Sequence, residues 1–304
     1  MSRMEKGRCH CGAEGAVFLA YSCKHLCESH FIRMFDKRFR KTVRMNSMLR
    51  RKERVAVGLS GGKDSTVLLH SLAELQKDLP FELVAITIDE GIEGYRARTM
   101  KPAKIACENL GIEQHIFSFR ELCGKTLDEL VKKSKDNIPC SQCGVFRRYA
   151  LNKAARELKA DKLALGHNLD DMAQTVLMNI MRCEPSRLAR LNEPLTKNSK
   201  LVPRIRPLMM TPEREIAIYA MMKGMPIERV ECPYARFAFR GQVRKMLNES
   251  EERYPGTKFK VVGSFLEIED ALRSKYAKGA AIAECTSCGE PSSRDVCMFC
   301  KLKS

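Results

Sequence analysis

Phe31, Phe35, Phe39 and Val43 recur every four residues through a stretch otherwise crowded with Arg33, Lys37, Arg40, Lys41 and Arg44. That interval keeps returning to one side of a 3.6-residue helix. It predicts an amphipathic helix that packs by its Phe edge and offers basic side chains to phosphates or to solvent. Beyond it, β-rich runs at 53–59, 82–88, 113–119 and 162–166 alternate with helical stretches at 64–77, 96–111 and 145–159. Such alternation predicts right-handed βαβ units and an α/β fold: an open parallel sheet with helices on both faces. Ligands of such sheets sit beyond the carboxyl ends of the strands, so the loops directly after these strands should carry the chemistry. A Pro- and Arg-rich stretch at 184–212 follows, in which Arg187, Arg190, Arg204 and Arg206 face either RNA or solvent. The Met and Leu stripes at 213–224 and 264–276 read as helical core.

The chain has 304 residues, 44% of them hydrophobic, enough for one main core with small appendages. The divisions read as a metal module at 1–32, a basic connecting helix at 33–52, a catalytic core at 53–183, a linker and helical part at 184–278 and a ribbon at 279–304. A formal charge of +17 favours a polyanionic partner such as nucleic acid. No run of about 18 apolar residues suggests a membrane span, and the opening MSRMEKGRCH has no apolar signal core, which points to the cytoplasm.

Fourteen cysteines in a reducing compartment suggest metal or redox chemistry before disulfides. Cys285, Cys288, Cys297 and Cys300 form two CxxC knuckles, the spacing that closes a tetrahedral zinc site and supplies folding free energy to a segment too short for its own core. Near the start, Cys9, Cys11, Cys27 and His30 make a less regular second zinc set, for which Cys23, His10 and His25 compete. Cys107, Cys123 and Cys183 read as small buried hydrophobes.

After the first central strand comes Gly58-Leu59-Ser60-Gly61-Gly62-Lys63-Asp64-Ser65, running straight into a helix. Its backbone N–H groups and the helix N-terminus can cradle a phosphate. It is not a Walker loop, because Val57 and Asp64 stand where that motif has Gly and Ser/Thr. The second strand leads into Asp89-Glu90-Gly91-Ile92 and the fourth into Gly166-His167-Asn168-Leu169-Asp170-Asp171. Acids beside a bound phosphate hold Mg²⁺, a role that suits Asp171 at the mouth of the following helix; Asp89 and Gly166 lie where the ligand of such a sheet sits, and Asn168 or Asp170 can be a plain helix N-cap, with Asp170 preferred. Pro139-Cys140-Ser141-Gln142-Cys143-Gly144 opens a helix expected from about Val145, and Glu231-Cys232-Pro233-Tyr234 lies far downstream.

Taken in order, the cysteine-rich ends, SGGKDS, PCSxCG, GHNxDD and ECPY resemble the tRNA 2-thiolation family of PP-loop enzymes, the TtcA/TtuA/NcsA group, over nearly the whole chain. The resemblance implies that ATP adenylates the uracil 2-oxygen and that sulfur then displaces AMP. It implies that Cys140, Cys143 and Cys232 hold a 4Fe-4S cluster with one iron free to bind sulfide. A cysteine persulfide is the rival reading of the same residues. Ser60, Gly61, Gly62, Asp64 and Ser65 would bind phosphate or metal, Lys63 would neutralise charge, and Asp171 would act through Mg²⁺. Arg147 stands where the family often has Lys, which favours electrostatic stabilisation over acid–base chemistry. The implied partners are tRNA, a sulfur donor (a ubiquitin-like thiocarboxylate carrier or free sulfide) and a second copy of the chain. The wobble uridine is slightly favoured over a T-loop uridine. Two other classes stay open: a PP-loop activator that delivers nitrogen, and a zinc-dependent RNA-binding protein with an inactive core.

Overall fold

The computed structural model describes residues 7–133, 139–192, 200–228, 230–234, 239–276 and 283–303. A small hairpin opens the chain, β1 (Val17–Leu19) against β2 (Lys24–Leu26), followed by α1 (Glu28–Met45). The central region runs β3 (Arg54–Gly58), α2 (Lys63–Gln76), β4 (Glu82–Asp89), α3 (Arg96–Leu110), β5 (Gln114–Ser118), α4 (Phe119–Cys123), α5 (Leu127–Lys133), α6 (Pro139–Glu157), β6 (Lys162–Ala164) and α7 (Leu169–Met181). Then come α8 (Pro185–Ala189), β7 (Arg204–Ile205), α9 (Glu213–Met222), α10 (Arg240–Arg253), α11 (Thr257–Tyr276), a second hairpin of β8 (Ala283–Glu284) and β9 (Pro291–Ser292), and α12 (Met298–Lys303). Among the described residues, no helix is long and apolar enough to cross a membrane. Residues 193–199 of the Pro- and Arg-rich stretch and the expected division at 278/279 lie outside the described residues.

Five parallel strands form the sheet, in the order β5-β4-β3-β6-β7. Strand alternation assigns the two faces. Val55, Val57 and Ala85 belong to the core shared with α1, α2 and α9, while Ala56, Val84, Ile86 and Ile88 belong to the core shared with α6. The chain progresses outward from β3 through β4 and β5 on one side and from β6 to β7 on the other. The order therefore reverses between β3 and β6, and a crevice opens there at their carboxyl ends.

The predicted Phe stripe is the buried edge of α1, with Phe31, Phe35 and Phe39 excluded from water. Burying each ring contributes roughly 1.5–3 kcal/mol, so this helix is anchored to the core and does more than connect. Phe35 stacks on Tyr219 of α9 with ring centroids 3.9 Å apart. Nearby, Arg38 pairs with Glu215 at 2.7 Å, and the Tyr21 hydroxyl donates to the same carboxylate at 2.9 Å. At the other end Phe299 of α12 stacks flat on Tyr149 of α6 at 3.6 Å, so the closing ribbon packs on the helix that carries Cys140 and Cys143.

Three local expectations change. The helix expected from about Val145 starts at Pro139, because proline suits a first turn, where its missing N–H would have no partner. Cys140 and Cys143 thus occupy successive positions three apart on one helix face. Asp170 is not the N-cap of α7: Asn168 is, in a capping box with Asp171. Asp170 instead turns inward to pair with Lys258 of α11 and to accept the backbone N–H of Glu213 at 2.8 Å. Finally, Cys107 and Cys123 are buried as expected, but Cys183 is exposed, just past α7 in a left-handed conformation with φ of 52°.

Candidate active site

The loop 58–65 follows β3 and the turn 165–171 follows β6, so the sheet reversal places SGGKDS and GHNLDD on the two walls of one crevice. Their approach leaves no room for side chains. A Cβ on Gly61, whose φ is +83°, would lie 1.8 Å from the Thr99 carbonyl oxygen, and one on Gly166 would lie 3.1 Å from the backbone of Asp64 and Ser65. The loop is shaped by its own serines. The Ser65 hydroxyl donates to the Gly62 carbonyl at 3.0 Å and accepts the Ser60 N–H at 3.1 Å, while the Gly62 N–H donates to the Ser60 hydroxyl at 3.3 Å.

Charge is arranged around this cradle. The Lys63 ammonium lies 2.9 Å from Asp64 and 2.7 Å from Glu213 at the start of α9, and Glu213 also meets Arg244 at 2.7 Å. Burial opposes the Lys63 charge, but the two carboxylates outweigh it and raise its pKa. Asn168 Nδ2 donates to Asp64 Oδ1 at 2.9 Å, tying the two walls together. Asp171 lies 3.7 Å from Arg240. Its carboxyl is pushed up to about 6, first by burial and then, against the pull of Arg240, by Asp64 and Glu213.

A carboxyl whose folded pKa is raised favours the fold while protonated. That contribution is lost as pH climbs from its ordinary value through about 6, so the ligand-free protein carries the full penalty at pH 7. Asp171→Asn is therefore expected to raise the melting temperature at pH 7 by more than at pH 4.5. Asn keeps an oxygen for the Asn168 N–H, so the capping bond survives the change. A difference between variant and wild type that does not vary with pH would show that Asp171 is not strained in this way.

Asp89 ends β4, where its Oδ1 accepts the Gly91 N–H at 2.8 Å. The next residue, Glu90, turns inward and is 4% exposed. It pairs with Arg96 at 2.8 Å and with Arg147 at 2.9 Å. Arg96 in turn donates to the Ser60 carbonyl at 3.2 Å, and Arg147 lies 3.4 Å from Cys143 Sγ. An unbroken polar path therefore links the phosphate cradle to the cysteines. Burial opposes the Arg147 charge and Glu90 more than restores it, so this guanidinium stays positive.

Cys140 donates through Sγ to the Tyr234 carbonyl at 3.1 Å, and the Tyr234 hydroxyl donates to Asp128 of α5 at 2.7 Å. These contacts dock the ECPY segment on the first turn of α6, and Cys232 acts electrostatically on both Cys140 and Cys143. Burial pushes the Cys143 thiol up to about 11, with Arg147 opposing. Burial disfavours the bare thiolates of Cys140 and Cys143, which fits a cationic centre that would hold them deprotonated. Among the described residues these three do not form a set tight enough for a single metal ion, whereas two other sets do. Three thiols brought together from two segments are a donor set of the chemistry that a 4Fe-4S cluster takes.

The two tight sets are Cys9, Cys11, Cys27 and His30, and Cys285, Cys288, Cys297 and Cys300; within each, all ligand atoms lie within 4.8 Å of one another. Cys23 stands apart, with its Sγ against the Ala20 carbonyl. The Ser29 hydroxyl, with the His30 N–H and ring, pulls the Cys27 thiol down to about 6, and backbone N–H groups led by that of Cys297 do the same for Cys285. Four soft donors at that spacing suit Zn²⁺.

Sequence reasoning missed Arg96, Glu213 and Arg240, and passed over Glu90 in favour of its neighbour. Glu90 alone carried a signal, an acid directly after a strand end.

Comparison with known proteins places this geometry. A family model described as a PP-loop domain matches residues 27–250. The chain is 37% identical to the tRNA 2-thiolation protein NcsA of Haloferax volcanii, with 96% of each chain covered. It is 36% identical to the tRNA-5-methyluridine(54) 2-sulfurtransferase of Pyrococcus horikoshii, covering 96% of this chain and 91% of that protein. The solved structure of the U34-tRNA thiolase NcsA from Methanococcus maripaludis with its [4Fe-4S] cluster superposes with a TM-score of 0.84 at 37% identity, over 97% of this chain and 95% of that one. Similarity of sequence and of structure, running almost from end to end, makes this chain a member of the tRNA 2-thiolation family of PP-loop enzymes, the NcsA/TtuA group.

Proposed function

We propose that this chain is a cytoplasmic, ATP-dependent tRNA sulfurtransferase that converts a uridine to 2-thiouridine in two steps. One observation carries the reading: a phosphate cradle and a three-cysteine shelf lie at the two ends of the path Ser60–Arg96–Glu90–Arg147–Cys143. An enzyme that only adenylates its substrate needs the first end and has no use for the second.

In the first step the uracil 2-oxygen bonds to the α-phosphorus of ATP, the bond to the β-phosphate bridge breaks, and pyrophosphate leaves. Ser60, Gly61, Gly62 and Ser65 hold the departing phosphates, Lys63 neutralises their charge, and Asp64 and Asp171 bind through Mg²⁺, with Asp89 and Gly166 bounding the nucleotide. In the second step sulfur bonds to the carbon that carries the adenylate, and AMP leaves with the former uracil oxygen. A 4Fe-4S cluster on Cys140, Cys143 and Cys232, when bound, supplies an iron without a protein ligand that can present sulfide. Arg147, fixed in its charged form by Glu90, stabilises negative charge that develops between cradle and cysteines.

The two tight ligand sets hold Zn²⁺ as structural sites. The fourteen cysteines all being free fits a reducing compartment. The sulfur donor is a thiocarboxylate carrier or free sulfide, and a second copy of the chain completes a homodimer. The target is the wobble uridine, a reading that likeness to the U34-tRNA thiolase supports.

The test is anaerobic incubation of unmodified tRNA with ATP, Mg²⁺ and sulfide, reading pyrophosphate and mapping 2-thiouridine by mass spectrometry. The expected result is one pyrophosphate released per sulfur incorporated, at the wobble position. Sulfur at a T-loop uridine would overturn the position alone. Pyrophosphate without sulfur would point to a nitrogen-delivering activator, and neither product would leave an RNA-binding protein.

A further inference from the structure

Charges at the mouth of the cleft are balanced on one side and unbalanced on the other. Around the nucleotide cradle each cation has an acid: Lys63 and Arg244 share Glu213, Arg240 has Asp171, and Arg147 has Glu90. Toward the sheet edge, Arg148 and Arg204 meet no carboxylate among the described residues; their charged neighbours are chiefly other arginines.

The backbone brings these arginines together. Asn152 of α6 accepts the Val202 N–H at 2.9 Å and donates to the Lys200 carbonyl at 3.1 Å, so α6 runs beside the chain entering β7. Arg148 lies one turn before Asn152 and Arg204 two residues after Val202; the Arg148 Nη1 lies 3.2 Å from where a Cβ on Gly144 would stand. Arg204 sits on the edge strand β7, in parallel register with Leu163 of β6. The Leu165 N–H donates to the Ile205 carbonyl at 3.0 Å, which sets Arg206 level with the start of the Gly166-His167 turn. Arg206 donates to Asn192 Oδ1 at 3.2 Å, Asn192 approaches Glu269, and Glu269 acts directly on the Arg206 charge.

This crowding is felt by each group. Burial, then Arg148 and Arg206, pull Arg204 down to about 10, and burial, then Arg187 and Arg147, lower Arg148. His167, at the same mouth, is pushed down to about 3 by burial and by Arg206, Arg240, Arg204 and Arg147, so it stays neutral. Holding like charges together without an acid is unfavourable until an anion arrives. Two planar guanidiniums from different elements make a fork suited to phosphate oxygens. The triphosphate of ATP already has its seat between β3 and β6.

We infer that Arg148 and Arg204 form a subsite for a backbone phosphodiester of the RNA strand, beside the nucleotide whose base enters the cleft. This rests on the reading that tRNA is the substrate. The subsite would grip the strand next to the reacting uridine without reading its sequence, as phosphate contacts do.

The test measures tRNA affinity by filter binding across a salt series for wild type, Arg148→Ala, Arg204→Ala, Arg204→Lys and the charge-matched control Lys104→Ala on the exposed side of α3. The Km for ATP in pyrophosphate release is read alongside. Each alanine variant is expected to weaken tRNA binding about tenfold near 0.1 M salt and to lower the log–log salt slope by about one. Arg204→Lys should recover part of the slope, and the Km for ATP should hold. Unchanged affinity and slope, or an equal loss in Lys104→Ala, would overturn the inference. A raised Km for ATP with tRNA binding intact would assign the subsite to the nucleotide instead. If wild type binds tRNA but thiolates none while the alanine variants still lose affinity, the proposed reaction fails and the subsite stands. If wild type binds no tRNA, the substrate reading itself fails.

Discussion

Cys232→Ala, purified without oxygen, is expected to lose its iron and acid-labile sulfide, about four of each per chain in the wild type as a cubane requires. Sulfur incorporation into tRNA should fall at least ~10³-fold, or about 4 kcal/mol of transition-state stabilisation. Zinc content should be unchanged, because Cys232 belongs to neither tight ligand set. The reason lies in the docking of ECPY on α6. Cys140 and Cys143 share one helical turn, but the third donor comes from about ninety residues away, and the Cys140–Tyr234 and Tyr234–Asp128 contacts dock its segment beside them. Two neighbouring thiols cannot fix three corners of a cluster. Cys183→Ala, which changes an exposed thiol just past α7, should leave both readouts at wild-type values. An iron-free wild type that still thiolates tRNA would make persulfide chemistry the mechanism.

The second large effect concerns the cradle. Lys63→Ala should lower the rate of pyrophosphate release roughly 10²–10³-fold, the range found when one preorganised charge-stabilising group is removed. Its partner should behave in the opposite sense. Glu213 holds the Lys63 ammonium at 2.7 Å and shares itself with Arg244, so it occupies the lysine that an incoming phosphate must recruit. Glu213→Gln removes that competition. It should lower the Km for ATP a few-fold with kcat kept within about twofold, since the gain is shared equally by the ground state and the transition state. A kcat loss as deep as that of Lys63→Ala would place Glu213 within the metal and phosphate machinery.

Much of this protein was legible along the chain because the signals are local. The Phe31, Phe35, Phe39 and Val43 interval became the buried edge of α1, and the alternation of strand and helix became a five-stranded parallel sheet. SGGKDS, GHNLDD and the closing four-cysteine set keep their meaning at short range, because turn geometry and ligand spacing are set by a few consecutive residues. The less regular set stayed open along the chain, with Cys23, His10 and His25 as rivals, and it is the fold that gathers Cys9, Cys11, Cys27 and His30.

Only the tertiary structure decided which neighbour does what. Asn168, Asp170 and Asp171 are alike as short polar residues at a helix mouth. Asn168 is the cap, Asp170 is drawn inward by Lys258 from about ninety residues on, and Asp171 is left facing the crevice beside Arg240. Asp89 and Glu90 are likewise equivalent in sequence, and Glu90 turns inward because Arg96 and Arg147 converge on it from two different helices. Glu213 on Lys63 and the unbalanced pair of Arg148 and Arg204 have the same origin. Hydrophobic period and motif spacing are properties of one short stretch, whereas the partner of a charge is whatever the fold brings within a few ångströms, and burial makes that choice worth several times what it would be in water.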